Sequence, residues 1–261
     1  MKYMTIGLNK KVSLVLLPID DFTDRIITGS QLHVYINGEN KPSIRKTDGY
    51  HVFCDLPGDE AEVCLEGPVY RKQILRLPIE KGEPEVFQVR MLPKTSYPFP
   101  QGTTIVKGAL PADSTIRIFF PEQKRGCKLL YDYDPLIQEK KLPIFRPYEM
   151  SLAGKTLCVC GRDHNLEFIR VSDQKENICI LEHPLSKAYE KIGTIIYPVY
   201  ETAVDEDGSF YLPISGLKGE NTCVCVLIQE NREESGGKTC KIMIQAGKEN
   251  RITEDVWKER E

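Results

Sequence analysis

The chain has 261 residues, 41% of them hydrophobic and 28% charged, with a formal net charge of −3 at pH 7. That balance excludes a disordered polymer. Its Lys and Arg are spread along the whole length, which excludes the concentrated basic footprint that nucleic acid demands. The length admits one large or two ordinary domains, each able to bury its own core.

The first apolar run, Val12 to Ile19, follows two lysines but is short, broken by Pro18 and followed by Asp20-Asp21 with no small-residue cleavage site. It reads as a buried first strand and not as an export signal. No other run approaches the ~20 apolar residues of a membrane helix. Nine cysteines is an odd number, and several (Cys54, Cys64, Cys158, Cys160, Cys179, Cys223, Cys225) sit inside apolar alternations, where a thiol packs as a small hydrophobe. Reduced thiols and a cytoplasmic chain, one that a particle could later carry out, are therefore expected.

After Val12 to Leu17 comes a polar turn, Asp20 to Asp24. Leu32, Val34 and Ile36 then share one face of a strand that Asn37-Gly38 turns. Residues 43–46 and 50–55 continue the sheet, 61–66 and 72–79 add two strands, and Val86 to Met91 closes a first domain. Short strands with turns every eight to twelve residues predict a β-sandwich. The segment LPKTSYPFPQG, with Pro93, Pro98 and Pro100, reads as a stiff linker. The predicted division is residues 1–93, a linker 94–101, and a second, enlarged β domain 102–261 with a short C-terminal helix.

In the second half, strands are predicted at Thr103 to Val106 and Thr115 to Phe120, followed by a proline-broken, irregular stretch from Tyr131 to Tyr148. Leu157 to Cys160 and Leu166 to Val171 flank a hairpin loop, and Ile178 to Leu181 and Thr194 to Tyr200 follow as strands. Asp207-Gly208, Phe210, Leu212 and Pro213 then echo Asp48-Gly49, Phe53, Leu56 and Pro57. Val224 to Ile228 and Lys241 to Ile244 flank a charged loop. Thr253-Glu254-Asp255 signals the start of the terminal helix that carries Trp257.

The first of these Asp-Gly blocks, with Asp48, Gly49, Phe53, Leu56, Pro57 and the return-strand Tyr70, resembles the carboxypeptidase-regulatory-like group of transthyretin-like β-sandwiches. The resemblance covers residues 12–92 and, more loosely, 191–246. It implies an all-β chain of tandem transthyretin-like (prealbumin-like) sandwiches joined by the proline-rich linker, and a folding, binding or assembly module in place of a catalyst. One enzymatic branch of the group, the hydroxyisourate hydrolases, ends in Tyr-Arg-Gly-Ser, a tetrapeptide this sequence lacks.

Motifs for chemistry are sparse. Cys158-Val-Cys160 with His164, together with Cys223-Val-Cys225, offers four thiols and an imidazole for zinc, although a Cys-x-Cys pair inside a strand lacks the loop of a Cys-x-x-Cys knuckle. Core packing is the preferred reading, and neither metal nor cofactor is expected. Asp205-Glu206-Asp207-Gly208 lacks the spaced ligands of a calcium loop. Gly236-Gly237-Lys238-Thr239 has Arg232 where a phosphate loop needs its first glycine. The four histidines are scattered singly, and no spacing sets one beside a nucleophile.

The expectation is thus a non-catalytic structural or interaction protein: a connector or accessory subunit of a larger assembly, such as a phage-tail-like or contractile injection particle. Other protein subunits are its expected partners, with neither nucleic acid nor membrane, and Trp257, Tyr131 and Tyr133 are the candidate contact residues. The alternative is a carbohydrate-binding module using Tyr97, Phe99, Tyr131, Tyr133 and Tyr148 as sugar platforms. A zinc-dependent regulator built on the cysteines is the third reading.

Overall fold

The computed structural model describes residues 10–29, 31–79, 85–121, 126–146, 151–163, 165–217, 221–230 and 238–253. Among these residues the chain is all-β, with twenty-one strands and one four-residue helix. None of the described helix is long and apolar enough to cross a membrane. The predicted C-terminal helix falls outside the described residues. The chain divides into two units after Tyr97.

Unit 1 contains β1 (Val12–Asp20), β2 (Arg25–Ile26), β3 (His33–Ile36), β4 (Ile44–Arg45), β5 (His51–Cys54), β6 (Glu60–Glu66), β7 (Gln73–Pro78) and β8 (Val86–Met91). The apolar run of β1 is buried along nearly its whole length because the strand is central. It pairs antiparallel with β5 and β2 and parallel with β8, while β4 extends β5. A second sheet runs β3-β6-β7. The strict alternation of β6 sends Ala61, Val63 and Leu65 inward, where they meet Leu14, Leu16, Val34, Ile36, Phe53 and Met91, as a two-layer sandwich requires.

Asp20 ends β1 inside this unit at 5% exposure. Its Oδ2 accepts from the hydroxyls of Tyr70 (2.9 Å) and Tyr97 (2.6 Å), and its Oδ1 from the backbone N–H groups of Phe22 and Thr23 (2.9 Å each). Four donors on one carboxylate offset the cost of burying it. Tyr97 is held in unit 1 by this bond, and Lys94 is held by its N–H to Val69 O and its Nζ to Gly67 O, 2.8 Å each. Residues 94–97, placed in the linker by the prolines on either side of them, are therefore part of unit 1.

Unit 2 contains β9 (Thr104–Ala109), β10 (Ser114–Phe119), β11 (Cys127–Leu129), α1 (Pro135–Gln138), β12 (Lys141–Phe145), β13 (Thr156–Cys160), β14 (Leu166–Lys175), β15 (Ile178–Leu181), β16 (Ile195–Pro198), β17 (Tyr200–Ala203), β18 (Ser209–Ile214), β19 (Asn221–Glu230), β20 (Lys238–Gln245) and β21 (Glu249–Ile252). Strands β11-β12-β15-β14-β13-β16 close into a six-stranded barrel. Its interior is packed with Leu129, Tyr133, Leu142, Ile144, Leu157, Val159, Val171 and Ile196. The rest forms a sandwich of β17-β10-β19-β20 over β18-β9-β21, with Val106, Ile116, Ile118, Phe210, Val224, Val226 and Ile252 between the sheets.

The two sandwiches repeat one connection pattern. In each, the first strand pairs parallel with the last, β1 with β8 and β9 with β21. Each first strand also pairs antiparallel with the strand after the Asp-Gly turn, β5 or β18. The opposite sheet runs β3-β6-β7 in one and β10-β19-β20 in the other. Both turn glycines have positive φ, 92° at Gly49 and 80° at Gly208, and a Cβ would lie 2.4 Å from Ile26 Cγ2 or 2.9 Å from Leu110 O, so both the backbone and the space require glycine. The units differ in their flanking strands, since β4 lies on β5 whereas β17 lies on β10 in the opposite sheet, and in the link that leads to them. Residues 37–43 join β3 to β4 directly, whereas residues 120–199 between β10 and β17 carry the whole barrel.

Inside the stretch predicted as irregular, β12 is an ordered strand of that barrel, and β11 lies just before it. Pro143 sits within β12, yet its carbonyl still accepts from Leu130 N–H at 3.1 Å, and closure of the barrel holds the strand where isolated propensity would not.

Candidate functional site

The barrel presents two groups of side chains to solvent, one at an end and one on a wall. At the end, the backbones of Tyr133 and Tyr189 exchange two 2.8 Å bonds, and Lys191 N–H donates to Asp132 Oδ1 at 2.6 Å. These bonds bring residue 192 beside residue 131. Asp134 caps α1 by accepting from Leu136 N–H at 2.9 Å, leaving the apolar residues of this single turn without a core to face. Tyr131, Leu136, Ile137 and Ile192 are consequently 69–89% exposed. On the wall, Phe145, Lys128 and Ile195 are directly opposed across β12, β11 and β16, and Ile178 opposes Pro143. Phe145, Ile178 and Ile195 are 38–54% exposed. The barrel thus holds seven of the twelve large hydrophobics exposed among the described residues, a concentration of the kind that marks contact surfaces.

Near that end lies a cleft of about 220 Å³, lined by Gly161, Arg162, Asp163, Lys187, Ala188, Tyr189, Glu190 and Thr194. Asp163 accepts from Lys187 Nζ at 2.9 Å and from Asn165, and these hydrogen bonds hold its carboxyl down to about 2. Glu167 accepts from Ser186 N–H (2.5 Å), Ser186 Oγ (3.0 Å) and Tyr189 OH (2.7 Å). Burial, followed by that bond to Glu167, pushes the Tyr189 phenol well above its ordinary value. Lys187 Nζ also lies 5.4 Å from the centre of the Tyr189 ring. These acids and donors satisfy one another, so the network pins the loops that frame the barrel end.

The thiols named as metal candidates divide. Cys158 and Cys160 face outward from β13, and Cys225 faces outward from β19, because Leu157, Val159, Val224 and Val226 take the inward positions. Their shared surroundings are Phe119, Tyr197, Val199, Leu166 and Phe168, with Phe119 stacked 5.6 Å from Tyr197 and edge-on to Phe168 at 6.2 Å. Burial raises the Cys158 and Cys160 thiols, which favours the protonated form and opposes thiolate ligation. Cys223 is not among this group, and His164 lies outside the described residues. What the three thiols form is a seam joining barrel to sandwich. A polar strip runs beside it: Arg117 Nε to Glu201 at 3.1 Å, Arg117 to Gln229 at 2.7 Å, and Thr156 Oγ1 to Glu201 at 2.6 Å.

Of the three contact candidates, Tyr131 is open to solvent, whereas Trp257 lies outside the described residues. Tyr133 is corrected from a contact residue to a core residue. Its ring is 1% exposed inside the barrel, with its hydroxyl donating to Glu139 O and accepting from Leu185 N–H. The proposed sugar platforms fall in both units. Tyr97 is bound to Asp20, Phe99 packs 5.9 Å from Tyr211, and Tyr148 lies outside the described residues. Sequence reasoning missed the barrel wall, since β12 is concealed by Pro143 and β11 is only three residues long.

No family model and no curated protein matches the chain. Among solved structures, a crystal structure of BcpA, the major pilin subunit of Bacillus cereus, is similar over 91% of this chain and 70% of that one, at 9% identity and a TM-score of 0.23. A likeness at that score carries no argument about fold or function.

Proposed function

We propose that the chain is a non-catalytic structural and interaction protein, a connector or accessory subunit of a larger protein assembly. The observation that carries this reading is the division of labour in the barrel. Its apolar side chains are exposed at one end and along one wall, while in the neighbouring cleft Asp163 is engaged by Lys187 and Asn165. Two β-sandwiches of repeated connectivity, of the transthyretin-like type that the Asp-Gly blocks suggest, serve as the frame, and the inserted barrel is the part offered to a partner. A contractile, phage-tail-like particle assembled in the cytoplasm is the kind of machine such a connector suits.

A mild native pull-down of the tagged chain from its own cell lysate, read by mass spectrometry and negative-stain imaging, tests the proposal. Recovery in a large particle with a reproducible set of other subunits is expected. Recovery of this chain alone would overturn it.

A further inference from the structure

In unit 1, β5 buries a histidine beside the edge of its sheet. His51 is 4% exposed and shares the inward face of the strand with Phe53. The edge itself is β4, two residues long and exposed at both, which pairs with β5 through Ile44↔Val52 and Arg45↔His51. Beyond that short ladder, Lys46 N–H donates to Tyr50 O at 2.9 Å, Ser43 Oγ lies 3.4 Å from His51 Nδ1, and Arg45 Nη2 donates to Leu32 O at 3.4 Å. Apolar groups make up much of the remaining surroundings. Leu16 stands opposite the histidine on β1, and the sheet across the core presents Val34, Ala61, Val63 and Leu65. Arg25, His33, Lys46 and Asp48 on the neighbouring segments are exposed. Burial, followed by the Arg45 guanidinium directly across the ladder, holds the imidazole below its ordinary value.

We infer that acidification unlatches this edge, residues 43–46 leaving β5 when His51 takes up a proton. In the closed form an imidazolium would sit in an apolar layer facing a second cation. Release admits water to the ring and carries Arg45 away, which relieves both costs. The contacts that oppose release are few, so the opening belongs to the low-stability end of the fold. Because the closed value lies below the open one of about 6.5, the open form binds the proton first. The latch is therefore full above that value and weakens as pH falls below it. Release leaves the outer edge of β5 with unpaired backbone groups, the kind of edge that accepts another strand. The latch lies in unit 1 and operates whether or not the chain joins an assembly.

Hydrogen exchange of the purified full chain at about pH 7.5 and about pH 5, corrected for intrinsic exchange rates, tests this. Protection in peptides spanning residues 43–54 is expected to drop severalfold at the lower pH, with peptides spanning β6 and β8 unchanged. His51→Gln, neutral at both pH values, is expected to lose the pH-dependent drop, and Arg45→Gln to show a smaller drop than the wild type, with circular dichroism to confirm that each variant is folded. Nuclear magnetic resonance of the assigned His51 ring in the isotope-labelled wild type gives a reading that needs no variant. Its titration is expected to have a midpoint below about 6.5, in step with the loss of protection. Equal protection at both pH values, a drop shared by β6 and β8, a drop that persists in folded His51→Gln, or a ring that titrates at or above its ordinary value would overturn the inference.

Discussion

Phe119→Ala tests whether the seam described above holds the barrel to its sandwich. The Phe119 ring is 2% exposed and contacts two aromatic neighbours, Tyr197 at 5.6 Å and Phe168 at 6.2 Å. Truncating a buried phenylalanine costs about 3–5 kcal/mol in transfer and cavity terms, and two aromatic pairs at about 0.5–1.5 kcal/mol each place this site toward the upper end. The barrel interior and the sandwich core are separate clusters that do not include this ring, so the loss is expected to fall on the seam. Urea denaturation followed by far-UV circular dichroism is expected to show a loss of about 4 kcal/mol in the unit 2 transition. Alkylation read by mass spectrometry is expected to show Cys158 and Cys225, inert in the wild type, becoming reactive under native conditions. A cost below about 1 kcal/mol, with both thiols still inert, would refute the seam as the connection.

Three further outcomes are expected. Asp20→Ala strands two phenol hydroxyls and two backbone N–H groups, and with partial solvent access at Tyr97 it is expected to cost about 3 kcal/mol, with faster hydrogen exchange in peptides spanning residues 12–20 and 86–91. Burial and then the bond to Asp20 push Tyr97 up to about 12 and Tyr70 higher still. Because the folded values lie above the unfolded one of about 10, this stability is full below pH 10 and is lost as pH rises toward 12. Melting temperature is accordingly expected to fall across that window, less steeply in Tyr70→Phe. Gly108→Ala would set a Cβ 1.9 Å from Ile252 O, and the forced separation of β9 from β21 is expected to cost about 3 kcal/mol, measured by the same urea titration. A neutral Gly108→Ala would count against that parallel pairing.

Where alternation was clean, the strands were legible in the residues. Asn37-Gly38, Asp48-Gly49 and Asp207-Gly208 mark turns that the backbone confirms with positive φ, and β5, β6, β13 and β14 lie where period-two patterning puts them. What alternation cannot convey is which strands meet. The barrel depends on β11 and β16 pairing across more than sixty residues, and nothing local in Cys127 or Ile196 encodes that partnership. Tyr131 and Tyr133 are two residues apart in one polar stretch, so composition gives them the same character. Only closure of the barrel turns one ring into the core and leaves the other in water. That Cys158 and Cys160 share one face was readable from their spacing, but which face it is, and their meeting with Cys225 at one seam, required the tertiary fold.

The most direct test of the central claim is a hydrogen-exchange footprint of the chain within the assembly recovered from its own cells, compared with the purified chain. The account predicts protection gained on assembly in peptides spanning residues 126–146 and 189–196, which carry the barrel end and wall. An assembly in which those peptides exchange as fast as in the free chain would contradict it.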